Sequence, residues 1–218
     1  MEICFAPQGN VGEFCLEKPQ KPDLILFGFQ GLGEVHYERE INGDTAYFEE
    51  VAKLSKQADC VVVCGCVTNA LGHKRKSVIV AEKGRILGVS DMLNVIDDEV
   101  GCGAELKVYP TIVGKLGVIV AEDLYFPDVA NSLTTCGAEY LICPFLKPNG
   151  VENVLCRALA FCYGAPVIFC GVGYSCVADS SGCLAFSSRE PSYASVERTP
   201  EYHLVGYRRR AFLKRKKQ

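Results

Sequence analysis

Three observations predict a layered α/β protein, or a close α+β relative. Short apolar runs recur along the chain, rich in Val and Ile and apolar at both parities. That pattern marks strands buried on both faces. Between several of them lie segments with apolar residues at three-to-four spacing, the mark of amphipathic helices. Such a rhythm requires crossover connections and packed layers. No linker-like, low-complexity or repeated stretch interrupts it, so a single domain is expected over residues 1–218.

The expected strands are EICFA (2–6), DLILFG (23–28), CVVVCGCV (60–67), KSVIVAE (76–82), LGVIVAE (116–122), YLICPF (140–145) and PVIFCGV (166–172). Helices are expected over 44–58, 127–137 and 151–164. In the first, Phe48, Val51, Ala52 and Ser55 share a face, and Asp44 is placed to cap it. In the second, Pro127 suits the first turn and Gly137 the exit. In the third, Val151, Val154, Leu155, Ala158 and Cys162 form one stripe, and Gly164 with Pro166 ends it. VADSSGCLAF (177–186) reads as a hairpin around a Ser-Gly turn.

Composition narrows the function classes. Hydrophobic residues make up 49% of 218, too many for disorder and enough for a core. Thirteen Cys are unusual, but the opening MEICFAPQGN carries no export signal. A cytoplasmic protein with reduced, mostly structural thiols is therefore expected. Cys60, Cys64 and Cys66 share parity, which places them on one face of a strand. The last eleven residues, 208–218, hold seven basic side chains, which leaves 16 basic against 26 acidic in the rest. An acidic body with no DNA-reading motif argues against nucleic acid as a partner. No apolar run approaches membrane-spanning length.

Cofactor and metal signatures are missing as well. There is no Walker loop and no G-x-G-x-x-G after a strand; GFQGLGEV (28–35) lacks the spacing. G-x-S-x-G is absent, and the three His at 36, 73 and 203 have no partner at ligand spacing. Neither a cofactor nor a metal is expected.

The informative segment is YPTIVGKLGVIVAEDLYFPDVANSLTTCGAEYLICP (109–144). Gly114, Lys115 and Gly117 form a turn into a strand. Asp123, Phe126, Pro127 and Asp128 follow the strand, and Gly137, Ala138 and Glu139 open the next one. This series resembles the core motif of the carbon–nitrogen hydrolase family, the nitrilase superfamily. ICFAPQ (3–8), the pair DLILF and CVVVCG, Glu99 with Gly103, Tyr109 and Thr111, Arg157 with Ala158, and Gly173, Ser175, Asp179 and Gly182 extend the likeness over the whole chain. The resemblance implies a four-layer αββα sandwich.

It also implies a catalytic triad of a Cys nucleophile, a Glu base and a Lys that steadies the tetrahedral intermediate. A thiolate attacks a nitrile or amide carbon, a base takes the proton, and a cation stabilises the developing charge. The matching positions here hold Ala121, Phe29 and Met92. A methyl group cannot attack, Phe takes no proton and Met carries no charge. The expectation is a pseudoenzyme of this family, with Glu99 and Asp123 retained. Its former site would either bind a small neutral ligand or be filled, and the chain could act as a partner subunit. Hydrolysis by relocated groups is the alternative, with Cys102, between two glycines in VGCGAE, as nucleophile. The family likeness also implies a homodimer, with YHLVGYRRRAF (202–212) similar to a segment that crosses to the partner.

Overall fold

The structure, a computed structural model, describes residues 1–15, 21–96 and 100–197. Thirteen strands run in chain order: β1 (Glu2–Ala6), β2 (Leu24–Phe27), β3 (Glu34–His36), β4 (Val61–Ala70), β5 (His73–Glu82), β6 (Arg85–Asp91), β7 (Val108–Thr111), β8 (Gly114–Val118), β9 (Tyr140–Pro144), β10 (Val167–Gly171), β11 (Tyr174–Ala178), β12 (Leu184–Ser188) and β13 (Ser192–Ser195). Four helices accompany them: α1 (Tyr37–Asn42), α2 (Tyr47–Ala58), α3 (Pro127–Thr135) and α4 (Val151–Tyr163).

The strands form two mixed sheets. The first has the order β13-β1-β2-β4-β5-β6, with β3 also paired to β4. The second has the order β12-β11-β10-β9-β8-β7. The parallel pairs β1–β2, β2–β4, β8–β9 and β9–β10 are the crossovers that the alternating rhythm required.

Alternation within each strand feeds two different cores. Val61 and Val63 of β4 join the cluster between the sheets, while Val62, Cys64 and Cys66 face α2. A second outer cluster lies between the other sheet and helices α3 and α4. Four layers follow, helix–sheet–sheet–helix. Burying each Val, Leu or Ile fully contributes roughly 1.5–3 kcal/mol. That is why strands apolar on both faces sit in the two middle layers. Cys60, Cys64 and Cys66 do lie on one buried face, and the hairpin forms as β11–β12, with Asp179 accepting from Ser181 N and Cys183 N in its turn.

Three local expectations are corrected. The run 116–122 is strand only to Val118; Ala121–Tyr125 winds into a 3-10 turn. Asp44 does not cap α2. Glu40 from α1 does so instead, accepting from Tyr47 N at 3.1 Å and Phe48 N at 3.2 Å. The stripe on α4 faces outward: Val151 and Val154 are exposed, and Glu152, Cys156, Leu159 and Ala160 are buried. Glu152 can be buried because its carboxylate is fully hydrogen-bonded: it accepts from Tyr125 Oη at 2.6 Å and from the amides of Asn149 and Gly150 at 2.9 Å each.

Candidate functional site

Phe29 follows β2, Met92 follows β6 and Ala121 lies beyond β8, so all three sit at strand ends. The fold brings them into one cluster between the sheets. They are 3%, 1% and 0% exposed, respectively.

Each is held by its surroundings. The Phe29 ring lies over Gly65 of β4; a Cβ there would sit 2.7 Å from Phe29 Cδ2 and 3.0 Å from its Cα. The missing side chain at 65 is what lets the ring lie flat against the sheet. Met92 N donates to Lys76 O at 2.9 Å, and Met92 O accepts from Gly103 N at 2.7 Å. Ala121 has φ +48°, a left-handed conformation that L residues other than Gly, Asn and Asp rarely adopt. Such strain costs of order 1–3 kcal/mol and persists only where neighbours over-determine it. Here the Cys143 thiol makes a long contact to Ala121 O, at 3.9 Å, and the following turn is pinned through Asp123.

Asp123 is buried and organises the site. Its carboxylate accepts from Leu93 N at 2.9 Å, Asn94 N at 2.8 Å and Asn94 Nδ2 at 2.8 Å. It thereby ties the segment after β6 to the turn that opens at Ala121. Burial raises its pKa, and these three hydrogen bonds oppose the rise.

The ionisable groups nearest in the chain were not found from the sequence. Lys76 of β5 reaches across to Glu122, with Nζ 2.6 Å from Oε1, and both side chains are largely buried. The residues are 46 positions apart, so no local spacing signals the pair. Glu122 holds this cation, and its second oxygen, Oε2, is buried with no hydrogen-bond partner. Cys143 lies in the cluster under α3 and α4, on the other side of its sheet from Met92. Burial pushes its thiol well above the usual range, which disfavours the thiolate.

Cys102 is exposed, in a segment pinned by Gly101 N to Lys74 O and by Gly103 N to Met92 O. It does not join the cluster of Phe29, Met92 and Ala121. Glu99, the segment 202–212 and the basic tail 208–218 lie outside the described residues.

Comparison with known proteins decides the family. No family model matches the chain. A probable nitrilase of Schizosaccharomyces pombe is 25% identical over 130 residues, covering 56% of this chain and 47% of the relative. The matched residues thus span about half the length of that relative. Among solved structures, Nit3 of Saccharomyces cerevisiae, a member of branch 10 of the nitrilase superfamily, superposes with a TM-score of 0.74. The identity is 15%, over 99% of this chain and 96% of that one. Fold and sequence together place this chain in the nitrilase superfamily. An amidase from Nesterenkonia sp. has the same fold, with a TM-score of 0.72 and 16% identity over 88% of each chain. A carbon–nitrogen hydrolase from Helicobacter pylori does too, with a TM-score of 0.66 and 20% identity over 79% of this chain and 76% of that one. The nitrilase fold accounts for the strand-end position of Phe29, Met92 and Ala121. No helix among the described residues is long and apolar enough to cross a membrane.

Proposed function

We propose that this chain is a catalytically silent nitrilase-fold protein that works as a subunit of a dimer, with its former active site filled by its own side chains. The carrying observation is the packing of Phe29, Met92 and Ala121 into one buried cluster with none of the three able to attack, take a proton or bear charge. The same packing favours a filled site over a small neutral ligand bound there. The thirteen free thiols fit a reducing compartment such as the cytoplasm.

Acetamide, benzonitrile and N-carbamoyl-alanine supplied to the purified chain are expected to be hydrolysed no faster than in buffer. Ammonia release measures this. Turnover above the blank would overturn silence, and its loss in Cys102→Ser would establish the relocated nucleophile.

The outward stripe of α4 supports pairing with a second copy. Val154 is 64% exposed, with Val151 and Phe161 beside it on the same side of the helix. Apolar residues at helical spacing and open to water are unfavourable unless covered. Light scattering is expected to give a dimer at micromolar concentration, and Val154→Glu a monomer that keeps its melting temperature. A monomeric parent protein would refute the pairing.

A further inference from the structure

A second concavity lies at the far end of the second sheet, away from Phe29, Met92 and Ala121. Its volume is about 330 Å³, within the range of small-molecule sites. Pro148, Gly150 and Val172 form part of its wall, and Asn153, Tyr174 and Arg189 bring polar groups to it. Two of those groups are unmatched. Asn153 Oδ1 and the Tyr174 hydroxyl are both buried from solvent with no hydrogen-bond partner. The Tyr174 hydroxyl has the Cys176 thiol as neighbour, a weak donor and acceptor that leaves it unsatisfied. An unmatched buried polar atom costs about 1–3 kcal/mol. Two lining one cavity call for an explanation.

The groups are complementary to a particular chemistry. Arg189 is exposed and forms no ion pair among the described residues. Its planar guanidinium matches a carboxylate. The Tyr174 phenol is held protonated, first by burial and then by its neighbours, and so offers a donor. Asn153 Oδ1 is an acceptor and requires a donor on the ligand. The N-terminus of α4 is not the anion site, because the Glu152 carboxylate already takes the Asn149 and Gly150 amides.

We propose that this cavity binds a small carboxylic acid bearing a hydroxyl or N–H group next to the carboxylate. The carboxylate lies on Arg189 and Tyr174, and the neighbouring donor meets Asn153 Oδ1. This site is separate from the filled nitrilase position and does not depend on whether that position is silent.

Calorimetric titration of the full chain with sodium L-lactate tests it. Saturable one-to-one binding is expected, with acetate, which lacks the donor, weaker by about tenfold. Arg189→Met and Tyr174→Phe should each weaken lactate by about tenfold. Tyr174→Phe should leave the melting temperature unchanged or higher, because it removes an unmatched hydroxyl. Asn153→Ala should abolish the preference for lactate over acetate. No saturable lactate binding, or equal binding by the Arg189→Met/Tyr174→Phe double variant, overturns the proposal.

Discussion

Met92→Lys is expected to destabilise the fold by about 4 kcal/mol, because it places an unpaired ammonium in an apolar core. For a chain of this size that is a fall of roughly 10 °C in Tm. Met92 is almost fully buried among Val63, Val80, Tyr109 and Val120 in the cluster between the sheets. The nearby carboxylate of Glu122 is already bound to Lys76. Burial disfavours the charged amine, so its folded pKa would lie below its unfolded value. The unfolded chain then binds more protons, and stability rises with pH. The deficit should therefore shrink from neutral pH towards the alkaline range. Met92→Leu, which conserves volume, should cost less than about 1.5 kcal/mol. Paired melts of the two variants across pH decide the matter. A lysine variant as stable as the leucine variant would mean that water reaches the site, and the filled-site reading would fall.

Asp123→Ala is expected to cost about 3 kcal/mol or more. It strands Leu93 N, Asn94 N and Asn94 Nδ2 at once. The loss should be local first. Amide exchange at Leu93 and Asn94 should accelerate before exchange in β4, which lies in the middle of its sheet. Asp123→Asn keeps one acceptor oxygen and should lie between the parent and alanine. Unchanged exchange at Leu93 in the alanine variant would show that the carboxylate does not hold the segment after β6.

Strands buried on both faces were legible because burial on both faces leaves a mark at every residue. Val61, Val62 and Val63 serve two cores at once, and nothing local opposes an extended chain there. The same mark misplaced the end of β8. Ile119, Val120 and Ala121 are as buried as strand residues, yet the chain there is leaving the strand and turning at φ +48°. Apolarity reports burial and does not report backbone direction.

The α4 stripe failed for a different reason. A carboxylate such as Glu152 ordinarily marks the solvent face. Here Tyr125 and two backbone amides satisfy it, so the helix turns its acid inward and its valines out. The cap of α2 likewise comes from the preceding helix, as Glu40, and not from the adjacent Asp44.

The sequence by itself determined the layered class, the family likeness and the three residue types at Phe29, Met92 and Ala121. Those follow from local chemistry: a methyl, a phenyl and a thioether lack the required groups whatever surrounds them. Only the tertiary structure decided that these side chains fill the space between the sheets and that Lys76 spends its charge on Glu122. It alone decided that Asn153, Tyr174 and Arg189 meet around one cavity. Contacts between distant strands depend on sheet order and register, and no spacing along the chain encodes them.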